Sequence, residues 1–130
     1  MEIHSKLLED SHFIVDLPLS QLRIIPDGDN PWFLLIPMRP DKKEWSDLSL
    51  DDQYQLTQEI NQVCLLLKEY KDPDKLNVAS LGNMVPQLHI HVIARYKDDR
   101  AWPGPIWGTS AGSEFDNSQV HFWQEKFKEL

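Results

Sequence analysis

One long helical pattern among several short extended runs limits the folds open to this chain of 130 residues. Residues 50–71 carry apolar side chains at the spacing of an amphipathic helix, and Ser49 precedes them as a helix cap. Shorter helices are predicted at residues 2–10 and 118–129. Runs of apolar or alternating side chains predict five strands, at residues 12–16, 19–25, 32–36, 76–80 and 88–96.

Short connections join most of these predicted strands. Residues 27–31, Asp-Gly-Asp-Asn-Pro, are a strong turn signal, so the strands on either side are expected to form a hairpin. Because short connections suit antiparallel pairing, we predict an α+β fold, a five-stranded antiparallel sheet with one main helix and short terminal helices. The strands do not alternate regularly with helices, which argues against a doubly wound parallel sheet.

The segment after the last predicted strand is rich in proline and glycine. Residues 97–113 contain two Pro and three Gly, which predicts an ordered loop rather than a regular element. Within it, residues 102–107 are apolar enough to cover the sheet, to form a wall of a pocket or to contact a second subunit. We expect one domain, residues 1–130, with residues 97–130 as an extension that packs on the domain or on a partner subunit.

The balance of charge limits the partners of the chain. With 21 acidic residues against 13 Lys and Arg, the net charge of −8 opposes binding to nucleic-acid polymers and anionic membranes, so a phosphate site would have to be local. A single cysteine, Cys64, excludes an internal disulfide framework, and its position on the apolar side of the predicted helix favours a core role. No apolar run is long enough to span a bilayer, and the N-terminal residues are too polar for a secretory signal. We therefore expect a soluble cytoplasmic protein.

Two histidines near residue 90 are the main candidates for chemistry. On a strand, Gln87, His89 and His91 would share one face, with the two imidazoles about 7 Å apart at roughly 3.3 Å per residue. Histidine titrates near neutral pH and serves as nucleophile, proton carrier or metal ligand, although this face can equally be the solvated side of a half-buried strand. A metal site is a further alternative. Zinc needs three or four ligands and the remaining histidines lie in terminal segments, so we assign no metal.

Polar groups near the histidines extend the candidate site. Gly82 and Asn83 either form only a turn or let backbone N–H groups approach a phosphate closely. Asn77, on the preceding strand, is a candidate hydrogen-bonding partner for a ligand, and Arg95 offers a local positive charge unless it pairs with a nearby acid. Asp27 is a candidate acceptor for ribose hydroxyls, although turn chemistry explains it equally well.

The stretch from Asn77 through the two histidines resembles the histidine triad (HIT) superfamily of nucleotide hydrolases and transferases. That family carries His-φ-His-φ-His-φ-φ on a strand, where φ is apolar, after an Asn and a Gly-Gln-Ser/Thr-Val type of loop. Asn77 matches the upstream asparagine, and Gly82 and Asn83 match the Gly and Gln of the loop. His89 falls on the central histidine, which is the nucleophile in the family, and His91 falls on the last histidine.

The chain is also similar to one bacterial branch of that family, labelled HIT-like or diadenosine tetraphosphate hydrolase-like. This similarity runs through residues 16–19, 27–32, 81–91 and 101–108. It implies a five-stranded antiparallel sheet and a homodimer that joins two sheets into ten strands.

Three positions depart from the family pattern. Gln87 stands in place of the first histidine, Met84 where many members have Ser or Thr near the leaving group, and Trp32 where an upstream histidine is usual. In the family, the main-chain carbonyl of the first triad residue orients the central histidine. Because Gln87 retains that carbonyl, we expect the geometry of the nucleophile to survive.

The resemblance implies nucleotidyl transfer to water at the α-phosphate of a nucleoside phosphate derivative, of the dinucleoside polyphosphate or phosphoramidate type. His89 would form a covalent nucleotidyl-histidine intermediate. His91 and Gln87 would donate hydrogen bonds to phosphate oxygens, and no cofactor would be needed. Two alternatives stay open, a non-catalytic nucleotide-binding HIT-like protein and a His-x-His metal site.

Overall fold

A five-stranded antiparallel sheet forms the centre of the protein in the computed structural model, which describes residues 1–129. Every neighbouring pair of strands is antiparallel, and β2 and β3 form the predicted hairpin. The predicted α+β class is therefore confirmed. In the sheet order β1-β2-β3-β5-β4, the strands are β1 His12–Asp16, β2 Ser20–Ile24, β3 Trp32–Pro37, β4 Lys75–Ala79 and β5 Ile90–Arg95.

The helices lie close to their predicted positions. They are α1 Ser5–Glu9, α2 Leu50–Tyr70 and α3 Ser118–Lys128. The Ser49 hydroxyl accepts a hydrogen bond from the backbone N–H of Asp52, which is the predicted N-cap of α2. No helix in the described part of the chain has both the length and the hydrophobicity that crossing a membrane requires.

Alternation along the strands divides the sheet into two faces. On one face, α2 and α3 pack against the sheet, where Trp123 of α3 meets Phe33 edge to face. The opposite face carries Trp32, Leu34 and His91, since β3 and β5 pair Leu34 with His91. The buried strand side chains of the helix-covered face are Ile14, Leu22, Ile24, Phe33, Leu35, Ile90, Val92 and Ala94.

The predicted strand at residues 88–96 is too long at its start, because β5 begins only at Ile90. Residues before Ile90 have no partner strand, since the pairing of β5 with β3 ends at Leu35–Ile90 and its pairing with β4 ends at Ala79–His91. The backbone N–H of Leu88 donates to the carbonyl of Lys42 instead. Residues 87–89 are therefore irregular, and strand alternation does not fix the direction of the Gln87 side chain.

The C-terminal segment packs on the same chain. Helix α3 lies along β1, the Gln124 amide donates to the carbonyl of Phe13, and Phe127 is buried in the core. The preceding loop contacts the β2–β3 turn, where the N–H of Gly28 donates to the carbonyl of Ser113. A Cβ atom on Gly28 would collide with this backbone, so the close contact requires glycine.

Candidate active site

The two histidines meet on the sheet face that α2 leaves free, although His89 lies just before β5 and His91 lies within it. Their ring centroids are 5.2 Å apart, with the planes inclined by 70°. Both residues are buried. Their separation allows one small ligand to contact both rings.

The backbone of Gln87 fixes the tautomer of His89. The Nδ1 atom of His89 lies 2.6 Å from the Gln87 carbonyl oxygen, which is the contact that the family resemblance implied. Because a carbonyl can only accept, Nδ1 must carry the hydrogen. Neutral His89 therefore presents an unprotonated Nε2 atom, which is the form required of a nucleophile.

An indole fixes the opposite tautomer in His91. The Nε1–H of Trp32 donates to Nδ1 of His91 over 2.9 Å, and indole nitrogen is a donor only. His91 Nδ1 is thus an acceptor, and the hydrogen of the neutral ring lies on Nε2. Burial, and secondly the neighbouring His89, lowers the pKa of His91 to about 4. His91 is therefore a neutral Nε2–H donor at pH 7.

Trp107 forms a wall beside His91. The centroid of its ring lies 5.2 Å from that of His91 and 5.9 Å from that of Trp32, and the ring is nearly perpendicular to both. The apolar stretch around residues 102–107, in the loop that follows β5, thus lies against His91. Trp32 and Trp107 were not among the predicted site residues. Trp32 shares the sheet face of His91, and by the family resemblance it stands where an upstream histidine is usual; this was the one signal that could have identified it.

Gln87 reaches the site through its backbone rather than through its side chain. The side-chain carbonyl accepts from the N–H of His4 over 2.8 Å, and the side-chain NH₂ donates to the carbonyl of Glu2 over 3.1 Å. The amide that was predicted to contact a phosphate therefore holds the N-terminal segment in this structure. The residue offers the histidines its main-chain carbonyl.

The loop before the histidines is anchored on their face of the sheet. Gly82 has a φ of +79°, in the left-handed region that favours glycine. Val85 packs against Leu34 and other residues of the small apolar cluster beneath α1, which joins the loop to this face. Asn83 and Met84 are exposed, and Met84 is 92% exposed. Whether the backbone N–H groups of Gly82 and Asn83 bind a ligand stays a prediction.

Arg95 is paired with an acid, which is one of the two outcomes that the sequence left open. Its guanidinium contacts the Asp99 carboxylate through two nitrogens, at 2.8 and 3.0 Å, and both side chains are 3% exposed. A third nitrogen donates to Oδ1 of Asn77 over 2.9 Å. The hydrogen bond from Arg95 is the main reason that the pKa of Asp99 lies well below its usual range. Asn77 and Arg95 therefore form a structural network with Asp99.

Asp27 is occupied by its own turn. Its carboxylate accepts from the backbone N–H groups of Asp29 and Asn30, each at 2.9 Å, and pairs with Arg100 at 2.7 Å. The side chain is 4% exposed. These contacts match the turn alternative for Asp27 and leave the carboxylate little room for a ribose.

The possible ligands for a metal are dispersed. Within residues 1–129, the His, Cys, Asp and Glu side chains form no group of three or more that could hold a metal ion. His89 and His91 thus supply two nitrogens without a third ligand beside them.

Comparisons with known proteins identify related chains. The sequence matches the protein-family model of the HIT domain over residues 7–98. A histidine triad protein from Bradyrhizobium japonicum is 46% identical, with a TM-score of 0.91 over 98% of this chain and 96% of that chain. One from Sinorhizobium meliloti is 38% identical (TM-score 0.91, 98% and 95% covered), and one from Marinobacter aquaeolei is 34% identical (TM-score 0.89, 98% and 93% covered). No curated protein matched the chain.

Proposed function

The chain belongs to the HIT domain family, and we propose that it transfers the nucleotidyl group of a nucleoside phosphate derivative to water through a covalent intermediate on His89. One observation carries this proposal. The hydrogen bond from His89 Nδ1 to the Gln87 carbonyl leaves the Nε2 atom of the neutral ring with a free electron pair. An imidazole held in this way is prepared for attack on phosphorus.

The proposed reaction has two steps at the α-phosphorus. In the first, Nε2 of His89 forms a bond to phosphorus, while the bond to the leaving group breaks and its electron pair departs with that group. In the second, water attacks the same phosphorus, the P–N bond returns its electron pair to Nε2, and a proton passes to solvent. His89 ends in the state in which it began.

Neutral donors stabilise the phosphate oxygens in this scheme. His91 presents Nε2–H beside the nucleophile, because Trp32 occupies its other ring nitrogen. We assign the backbone N–H groups of Gly82 and Asn83 as further donors, where negative charge builds in the transition state. The substrate classes are those of the HIT-like branch, dinucleoside polyphosphates and phosphoramidates.

The test combines trapping with turnover. The wild type is incubated with a dinucleoside polyphosphate, adenosine phosphoramidate and a sugar nucleotide, then quenched and examined by mass spectrometry for a nucleotidyl adduct. We expect an adduct on the peptide that contains His89. His89→Ala should lose the adduct and about 10³-fold or more of the turnover, since the nucleophile is missing.

A matched control and a rival outcome complete that test. His121→Ala changes an exposed histidine of α3 and should keep both adduct and turnover. Turnover that survives His89→Ala would refute the proposal. Tight binding of AMP or GMP by the wild type without turnover of any substrate would instead identify a non-catalytic nucleotide-binding protein.

We also propose that the protein is a homodimer that joins its sheets through β4. This strand is at one edge of the sheet, and Val78 within it is 44% exposed. The other edge, β1, is covered in part by α3. Val78→Lys should therefore give a monomer in sedimentation experiments, because a charge at an edge opposes pairing. Phe13→Lys, at an exposed position of β1, is the control and should leave the dimer intact.

A further inference from the structure

We infer that Trp32 is a positioning residue that holds His91 as a neutral Nε2–H donor, and that the enzyme therefore favours leaving groups that depart without taking a proton. This inference rests on the proposed role of His89 as nucleophile. It narrows the substrate class to phosphoric anhydrides, whose leaving group is a phosphate or polyphosphate anion.

The geometry at Nδ1 of His91 disfavours an imidazolium ring. Trp32 Nε1–H already points at this atom over 2.9 Å. A second hydrogen placed on Nδ1 would face the indole hydrogen, so the hydrogen bond would be replaced by two opposed donors. His91 is 7% exposed, and Trp107 lies against its ring, which leaves little room for water between the two donors.

The surroundings of His91 also favour its uncharged form. Burial is the larger cause of its lowered pKa, and the second is His89, the titratable group that faces it. The two indoles packed on the ring, Trp32 and Trp107, do not titrate. Both the hydrogen bond and the environment thus keep His91 uncharged at neutral pH in the unliganded site.

An uncharged His91 cannot supply the proton that some leaving groups require. When His89 attacks a phosphoric anhydride, the electron pair of the breaking P–O bond departs on a phosphate oxygen, which is stable as an anion. A phosphoramidate would have to expel an amide anion, so its nitrogen needs a proton in the transition state. The Gln87 carbonyl, the two indoles and the exposed loop residues Asn83 and Met84 carry no acidic proton to take its place.

The contact is tested directly by NMR of the ¹⁵N-labelled histidines, with no substrate present. In the wild type, His91 should show hydrogen on Nε2 and a lone pair on Nδ1, and it should stay neutral down to about pH 4. Trp32→Phe keeps an aromatic ring but lacks the donor. It should lose the tautomer preference, and titration should move toward the ordinary histidine value of about 6.5.

Trp107→Phe is the matched variant, since Trp107 also packs on His91 but, within residues 1–129, forms no hydrogen bond with it. It should retain the Nε2–H tautomer. A wild-type spectrum with hydrogen on Nδ1 of His91 would overturn the inference. An unchanged tautomer and titration in Trp32→Phe would overturn it as well, whatever the enzyme turns over.

The leaving-group preference is tested by comparing kcat/KM for a dinucleoside polyphosphate and adenosine phosphoramidate. The wild type should favour the anhydride by about 10²-fold or more, the scale of a missing general acid. Trp32→Phe should narrow this ratio at mildly acidic pH, mainly through kcat for the phosphoramidate. Equal use of both substrates by the wild type overturns the preference. If the wild type turns over neither substrate, both the leaving-group preference and the proposed function are overturned. The NMR result then tests the hydrogen bond between Trp32 and His91 independently.

Discussion

At the scale of single residues, the chemistry of the site depends on which nitrogen of each imidazole carries its hydrogen. His89 and His91 are identical side chains two positions apart, yet Nε2 lacks a hydrogen in His89 and carries one in His91. The reason is that the Gln87 carbonyl beside His89 can only accept, whereas the Trp32 indole beside His91 can only donate. The His-x-His spacing predicted that the two rings lie together. It could not predict the tautomers, since Trp32 is far away in the sequence and contacts His91 only across the sheet.

The lowered pKa of His91 predicts a loss of stability in mild acid. Between about pH 4 and the ordinary histidine value of about 6.5, the unfolded chain binds a proton at residue 91 that the folded chain does not. The free energy of unfolding should therefore be highest above this window and fall by up to roughly 3 kcal/mol as the pH drops through it.

Urea denaturation at pH 7 and pH 4.5 measures this effect. His91→Asn removes the titrating group and keeps an oxygen that can accept from Trp32, so its stability should depend less on pH than that of the wild type. His121→Asn, at an exposed position, should behave as the wild type does. Equal pH dependence in His91→Asn and the wild type would show that another group is responsible.

Gln87 allows the roles of one residue's side chain and backbone to be separated. Gln87→Ala keeps the carbonyl that orients His89 but removes two hydrogen bonds to residues 2–4. We expect a loss of about 1–2 kcal/mol in unfolding free energy and faster proteolysis near the N-terminus, with kcat within about tenfold of the wild type. A large increase in KM with unchanged stability would show instead that the side chain binds substrate.

At the scale of elements, the sequence predicted best those features that local signals determine. Helix α2 was predicted at residues 50–71 and lies at Leu50–Tyr70, because its cap and its apolar spacing belong to the segment itself. The strand predicted at 88–96 was too long, since a strand ends where its neighbours stop pairing, and a single sequence does not show that point. Strand alternation was consequently no guide to the Gln87 side chain, whose amide contacts His4 and Glu2.

A buried carboxylate on α2 is the polar link between this helix and the start of β2. Glu59 is fully buried and accepts hydrogen bonds from the N–H groups of Leu19 and Ser20, at 2.8 and 3.0 Å, and from the side chain of Gln55. Glu59→Gln would turn an NH₂ group toward one of these donors. We expect a loss of roughly 2–3 kcal/mol in urea denaturation, the cost of an unsatisfied buried group.

The neighbouring surface of α2 provides the control for that substitution. Glu69→Gln makes the same chemical change at an exposed position of the same helix and should alter stability by less than about 0.5 kcal/mol. If the two variants were equally stable, the contacts of Glu59 with Leu19 and Ser20 would contribute little to the fold.

At the scale of the whole molecule, the site is completed by a segment outside the sheet, which the sequence placed only loosely. The wall at Trp107 belongs to the loop that follows β5, and the loop is held by Asp99 and Arg95. The sequence indicated an apolar segment there but left its location open. Its location follows from one network, in which Asp99 accepts from Arg95, the Asn30 side chain and the N–H groups of three residues, Tyr96, Ala101 and Trp102.

Asp99→Asn should therefore disturb both stability and the site. An amide cannot accept all of these hydrogen bonds or balance the buried Arg95 charge, and breaking a buried pair costs about 3–5 kcal/mol. We expect that loss in urea denaturation at pH 7, together with a change in the near-ultraviolet circular dichroism of the tryptophans as Trp107 leaves His91.

Because the pKa of Asp99 is lowered by folding, its contribution is complete above the ordinary Asp pKa of about 3.9 and is lost as the pH falls below it. Asp98→Asn, the exposed neighbour, is the control with the same change of charge. A stable Asp99→Asn protein with an unchanged tryptophan spectrum would mean that the loop holds its place without this network.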